Sequence, residues 1–123
     1  MEASVSCVTA VSAGNAPPSS GSLSAGAAFA GNASSAFNST PLHMILQNMG
    51  KRTLVLTGLI TNGCVESTAR DARDLGYRVV LVGDACATYS DQTHRRTLRW
   101  LERTIGNVAA TDAVVATLLA HAP

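Results

Sequence analysis

The chain has 123 residues and a formal net charge of +1, a length that suits one domain with an ordinary core. A charge so close to zero gives no electrostatic reason to expect nucleic acid or an anionic membrane as a partner, and no apolar run approaches the ~18 residues of a membrane-spanning helix. Three widely spaced cysteines predict neither a disulfide framework nor a zinc cluster, so we expect no metal and a reducing, cytoplasmic location.

The first 34 residues differ in amino-acid composition from the rest of the chain. They are mostly Ala, Ser and Gly, and their only charged residue is Glu2. Small residues bury too little apolar surface to offset the ordering of the backbone, which costs ~1–2 kcal/mol per residue. We therefore predict that residues 1–34 are disordered or loosely attached and that residues 35–123 form the domain. The segment lacks the charged start and apolar core of a secretory signal, whereas its Ser and Ala richness leaves import into an organelle open.

From residue 35 onward, helical and strand patterns alternate along the chain. Apolar residues at helical spacing predict a first helix that ends at Gly50, and a continuous apolar run predicts a strand covered on both faces. The predicted elements after this helix are a strand Thr53–Thr57, a helix Glu66–Leu75, a strand Arg78–Val82, a helix from Ser90 or Asp91 to about Thr104, a strand Asn107–Ala109 and a helix from Thr111 or Asp112. Such alternation is typical of parallel strands joined by right-handed crossovers, so the predicted class is α/β.

The stretch TGLITNGCVESTARDA, residues 57–72, places a cysteine where the first strand passes into a helix. Ligands bind at the carboxyl ends of parallel strands. At the head of the helix, Cys64 would lie beside backbone N–H groups that stabilise a thiolate. Gly63 before it would relieve crowding in so sharp a turn. The residue types alone leave open that Cys64 is a buried structural cysteine, which is how we interpret Cys86.

The histidines and arginines give weaker signals. The three histidines have no ligand spacing, and His94, beside Arg95 and Arg96, is expected to be solvated. The arginines of the same helix are typical of a polar helix face, with Leu98 and Leu101 directed inward. They do not predict a phosphate site.

Several motifs together resemble the C-terminal half of the isochorismatase-like cysteine hydrolases, a family that includes nicotinamidases and N-carbamoyl amidohydrolases. The motifs are SAFNSTPL at residues 35–42, TNGCVESTARDA at residues 61–72, the Gly76-Tyr77 pair and DACA at residues 84–87. The resemblance spans about residues 35–119. It implies a Rossmann-like, three-layer α/β/α fold with a parallel sheet, truncated here to its C-terminal strands and helices.

The resemblance also implies an activity, that of a small-molecule amidohydrolase acting on C–N bonds through a cysteine thioester, without a cofactor. Carried onto this chain, Cys64 is the nucleophile. The backbone N–H groups of Ile60 and Cys64 form the oxyanion hole, and the peptide bond between Leu59 and Ile60 is cis. Thr61 and Gly63 support this loop.

Two members of the family's Asp-Lys-Cys triad are missing from the sequence. The Asp would end an earlier hydrophobic strand, but Glu2 is the only carboxylate before Cys64. The Lys would stand where this chain has Gly31. The resemblance implies that Asp84 ends the next strand near the site. We therefore expect a hydrolase that is impaired, with a small amide as its substrate if it is active.

Two alternatives to an enzyme stay open. Without the family's first half, the strand Thr53–Thr57 would be an exposed apolar edge, which pairs readily with other chains. The chain would then be a non-catalytic interaction module that pairs with a full-length homologue or with itself, and a homo-oligomer is expected on the same ground. A third possibility is a gene-prediction product that does not accumulate as a folded protein.

Overall fold

The computed structural model describes residues 6–11, 27–31 and 34–120 of the chain. Its elements in chain order are β1 (Ser6–Val11), β2 (Ala27–Gly31), α1 (Leu42–Asn48), β3 (Thr53–Leu59), a π-helical turn that we name the corner turn (Thr61–Val65), α2 (Glu66–Asp74), β4 (Arg78–Ala87), α3 (Asp91–Thr104), β5 (Asn107–Ala109) and α4 (Thr111–Ala120). From α1 onward the helices and strands alternate as predicted. Within the described ranges, none of the helices is long and apolar enough to cross a membrane.

The strands form one five-stranded sheet in the order β2-β1-β3-β4-β5. Strands β3, β4 and β5 run parallel to one another, because the helix after each strand returns the chain to the same end of the sheet. The predicted α/β class with a parallel sheet is therefore confirmed. The first two strands differ, since β1 runs antiparallel to both β2 and β3.

Strands β1 and β2 lie within the segment that we predicted to be disordered or loosely attached. Strand β3 offers a row of backbone N–H and C=O groups along its edge, which must find partners. Strand β1 pairs with this edge from Val8↔Gly58 to Val11↔Val55. Backbone pairing needs no large side chains, so composition alone is a poor guide here. The rest of residues 1–33 lies outside the described residues, and the domain boundary at residue 35 stays a prediction.

The pairing of β1 with β3 corrects an expectation about the sheet edge. The strand Thr53–Thr57 was expected to be an exposed edge, but β1 occupies that edge in the sheet. In the part of the chain that the structure describes, the outermost strands are β2 and β5. The hypothesis of a non-catalytic interaction module assumed that this strand was exposed, and the structure does not provide that exposed edge.

The core lies on the face of the sheet that α1, α2 and α3 cover. Leu54 and Leu56 of β3 point to this face, as the two-residue period of a strand requires. Both are fully buried, together with Leu42 of α1 and Leu101 of α3. Helix α4 lies on the opposite face, where it lines a groove of about 260 Å³ with strand residues that include Val55. Helices on both faces give the three layers that the resemblance implies.

Strand β4 is longer than predicted. It continues through Gly83 and Asp84 to Ala87, although a Gly-Asp pair normally ends a strand. The register explains the difference, because pairing with β3 shifts between Leu56↔Leu81 and Gly58↔Cys86. The extra residues of β4 form a bulge, after which the pairing resumes.

Candidate active site

A cis peptide and the corner turn build the junction between β3 and α2. The peptide bond between Leu59 and Ile60 is cis, at the position where the resemblance places it. The corner turn then wraps around the carbonyl oxygen of Ile60, which accepts hydrogen bonds from the N–H groups of Gly63 at 3.1 Å and Val65 at 3.3 Å. This wrapping places Cys64 at the head of α2, at the carboxyl end of a central strand.

The surroundings of Cys64 are tightly packed. Its side chain is only 8% exposed and belongs to the core cluster. A Cβ at Gly63 would lie 2.8 Å from Cγ1 of Ile60, a distance that forces the isoleucine side chain to move. Glycine before the cysteine therefore lets the corner turn close onto Ile60. On the exposed side, the Thr88 hydroxyl donates to Oδ1 of Asn62 at 2.6 Å and ties the turn to the end of β4.

A histidine that we expected in solvent belongs to this corner. His94 of α3 is half-buried, with Nδ1 at 2.7 Å from the hydroxyl of Thr61 and Nε2 at 3.0 Å from the carbonyl oxygen of Gly83. The prediction of a solvated His94 is wrong because its contacts come from two other elements. Its spacing from Leu98 and Leu101, one and two turns along α3, is the sequence signal that indicates an inward position.

Asp84 has a structural contact that the resemblance did not suggest. It lies inside β4 and does not end the strand. Its Oδ1 accepts hydrogen bonds from the hydroxyl of Thr111 at 2.6 Å and from the Thr111 N–H at 2.8 Å. These two bonds, the hydroxyl first, lower the pKa of Asp84. A carboxylate at the first residue of α4 also suits the helix dipole, so Asp84 caps this helix.

Cys86 lies beside β3, where its Cα pairs with that of Gly58. It is buried, and burial raises the pKa of its thiol more than the hydrogen bond from the Gly58 N–H lowers it, with the charge of Asp84 raising it further. A protonated, buried thiol is a small apolar group. This agrees with the interpretation of Cys86 as a structural cysteine.

The sequence holds one lysine, Lys51, and the fold keeps it away from Cys64. Lys51 precedes β3, whereas Cys64 follows the carboxyl end of the same strand. The nearest acidic residue in sequence, Glu66, forms an ion pair with Arg70 at 3.1 Å. Among the residues that the structure describes, no group of three or more His, Cys, Asp or Glu side chains could hold a metal ion.

Comparison with known proteins matches most of this chain to one protein family. The model of the isochorismatase domain matches residues 26–113. The chain is 44% identical over 77 residues to the uncharacterized isochorismatase family protein YwoC of Bacillus subtilis, covering 63% of this chain and 41% of that protein. It is 42% identical over 67 residues to Nicotinamidase 3 of Arabidopsis thaliana, covering 54% of this chain and 34% of the nicotinamidase.

A solved structure agrees with these sequence matches. An isochorismatase family protein from Burkholderia thailandensis superposes with a TM-score of 0.70 at 38% identity, covering 72% of this chain and 47% of that one. The chain thus spans less than half the length of these relatives. Because the family model covers most of its residues, the chain belongs to the isochorismatase family.

Proposed function

We propose that this chain carries the nucleophile of a cysteine amidohydrolase that acts on the C–N bond of small amides. The observation that carries the proposal is the position of Cys64 in the corner turn, after the carboxyl end of β3 and directly before α2. The similarity to a nicotinamidase supports an amide as the substrate class.

In the proposed reaction, the Cys64 thiolate attacks the carbonyl carbon of the amide and forms a C–S bond. The N–H groups of Ile60 and Cys64 donate to the negative oxygen of the tetrahedral intermediate. The C–N bond then breaks, and the amine leaves after taking a proton from water. Water attacks the resulting thioester, the C–S bond breaks, and the acid is released with the thiol restored.

We further propose that the chain on its own is a weak catalyst. The sequence offers no Asp or Lys at the positions that the family triad requires, and its single lysine lies at the far end of β3. General acid–base catalysis contributes ~10²–10⁴-fold in rate, and more where the residues act as a unit. Self-association, pairing with a full-length homologue and a cytoplasmic location stay predictions.

The test is acylation of the intact chain by an activated acyl donor, followed by peptide mass spectrometry, together with ammonia release from aliphatic and aromatic carboxamides. We expect a hydroxylamine-sensitive acyl group on the peptide that contains Cys64. Cys64→Ala should abolish both signals, and Cys86→Ala, which removes another buried cysteine, should leave them in place. Acylation spread equally over the cysteines, or hydrolysis that survives Cys64→Ala, would refute the proposal.

A further inference from the structure

We propose that His94 is a positioning residue of the candidate active site, and that its ring fixes Thr61 and, through Thr61, the turn that presents Cys64. This inference rests on the proposed function of Cys64. His94 belongs to α3, outside the segment that forms the corner, so it acts on the site from a neighbouring element.

The hydrogen bonds of the ring determine its tautomer. The carbonyl oxygen of Gly83 can only accept, so the neutral ring of His94 carries its proton on Nε2 and donates across 3.0 Å. Nδ1 then has a lone pair, which accepts the hydroxyl proton of Thr61 across 2.7 Å. With both nitrogens engaged, the ring has one orientation, and it links the corner turn to β4.

Thr61 is the residue through which this link reaches the cysteine. It is the first residue of the corner turn and is fully buried. Its carbonyl oxygen accepts from the N–H of Glu66, where α2 begins. Cys64 lies between these two residues in the chain. A buried hydroxyl without a partner is costly, so loss of the acceptor on His94 forces Thr61 to rearrange and moves the turn that holds Cys64.

Three substitutions separate the two hydrogen bonds of the ring. Oδ1 of an asparagine lies near the position of Nδ1, so His94→Asn keeps the acceptor for Thr61. A glutamine reaches the position of Nε2, so His94→Gln keeps the donor to Gly83 and loses the acceptor. His94→Leu removes both. His43→Leu is the matched control, because His43 is also half-buried and hydrogen-bonded, with Nδ1 at 2.8 Å from the Tyr77 hydroxyl. It belongs to α1, which precedes the amino-terminal end of β3, whereas the corner turn follows the carboxyl end.

The readout is the alkylation rate of Cys64 by iodoacetamide at neutral pH divided by its rate at alkaline pH. Accessibility cancels in this quotient, so it reports how well the corner stabilises the thiolate. Alkylation of Cys86 in the same molecule reports general unfolding, as does the urea midpoint. We expect His94→Leu and His94→Gln to lower the quotient about tenfold, the effect of one buried hydrogen bond, and His94→Asn to remain within about twofold of the unmodified chain. His43→Leu should lower the urea midpoint and leave the quotient unchanged.

Each outcome bears on one claim. A quotient that stays unchanged in His94→Gln would overturn the role of the Thr61 contact, as would equal losses in the Asn and Gln variants. If the His94 variants unfold and expose Cys86, substitutions of Thr61 decide instead. Thr61→Val should lower the quotient, whereas Thr61→Ser should leave it unchanged. Equal quotients in these two variants would overturn the inference. Failure of the proposed function looks different, since Cys64 of the unmodified chain would then react no faster at neutral pH than Cys86.

Discussion

At the scale of single residues, Cys64 and Cys86 differ in their position in the fold and not in their burial. Both are buried to a similar extent, at 8% and 7% exposure. Cys64 lies in the corner turn, directly before α2. Cys86 lies on a strand beside Gly58, where it is an apolar group of the core. Burial alone therefore does not distinguish the proposed nucleophile from a structural cysteine in this protein.

The raised pKa of Cys86 predicts a loss of stability at alkaline pH. Its thiol ionises at a higher pH in the folded chain than in the unfolded one, so the stabilisation is complete below the ordinary thiol pKa of ~8.5 and is lost as pH rises through the folded pKa. Melting temperatures of the unmodified chain should fall over this range. In Cys86→Ala the fall should be smaller. The free energies of unfolding of the two proteins should diverge by at most about 1.4 kcal/mol per pH unit, the limit for a single group. Identical pH profiles for the two proteins would contradict the prediction.

The residues of the site divide into those that local sequence predicts and those that it does not. The position of Cys64 follows from a strand pattern that gives way to a helical pattern at a Gly-Cys pair, all within a few residues. The role of His94 depends on Gly83 and Thr61, 11 and 33 residues away. Such contacts arise only when the sheet brings the elements together, so the chain sequence offered no more than the inward spacing of His94 on its helix.

At the scale of elements, the connection from α3 to β5 passes very close to β4. A Cβ at Gly106 would overlap the backbone carbonyl of Val79. That carbonyl belongs to a strand in the middle of the parallel sheet, and it cannot move without disturbing the ladder. Gly106 is therefore required by the approach of two backbones.

We predict that Gly106→Ala destabilises the fold by about 3 kcal/mol or more, because the backbone must shift. Gly83→Ala is the matched control. Its Cβ would meet Cδ1 of Leu98 at 3.1 Å and Cγ1 of Val108 at 3.2 Å, which are side-chain tips that can give way, so its cost should stay below about 1.5 kcal/mol. Urea unfolding of the two variants measures both values, and equal costs would show that the backbone contact is not limiting.

The elements that were predicted and those that were missed differ in where their stabilisation originates. Helices α2 and α3 have an apolar periodicity that fixes them locally, and α3 also has the N-cap Ser90, whose side chain accepts from the Thr93 N–H. Strands β1 and β2 consist largely of small residues, and their order comes from backbone pairing with β3 and with each other. The bulge in β4 likewise depends on the register with β3. Periodicity cannot indicate either feature.

At the scale of the whole molecule, the β1–β2 hairpin completes the sheet beside β3. The family resemblance implies that the neighbour of this strand comes from a first half that the chain does not contain. The hairpin takes that place with antiparallel pairing. The position of β3 inside the sheet therefore depends on β1, which lies far from the family motifs in the sequence. The corner turn follows directly after β3, so its support depends on β1 as well.

Deletion of residues 1–33 should make the protein self-associate. The deletion leaves β3 as an edge strand with its apolar residues beside open backbone groups, which is a template for pairing between chains. Sedimentation or light scattering over a concentration series should show larger species for the shortened chain than for the full chain. A synthetic peptide of residues 1–33 added in excess should reduce them. A shortened chain that stays monomeric at all concentrations would show that β1 is dispensable.

The order of the strands along the chain also matters while the protein is being made. Translation proceeds from the N-terminus, and β1 precedes β3 while β4 follows it. When β3 leaves the ribosome, β1, which pairs with one of its edges, has therefore already been synthesised. Strand β4, which pairs with the other edge, follows after the corner turn and α2. The order of the strands therefore lets β3 pair with a strand of its own chain as soon as it has been synthesised, before an edge of another chain is needed.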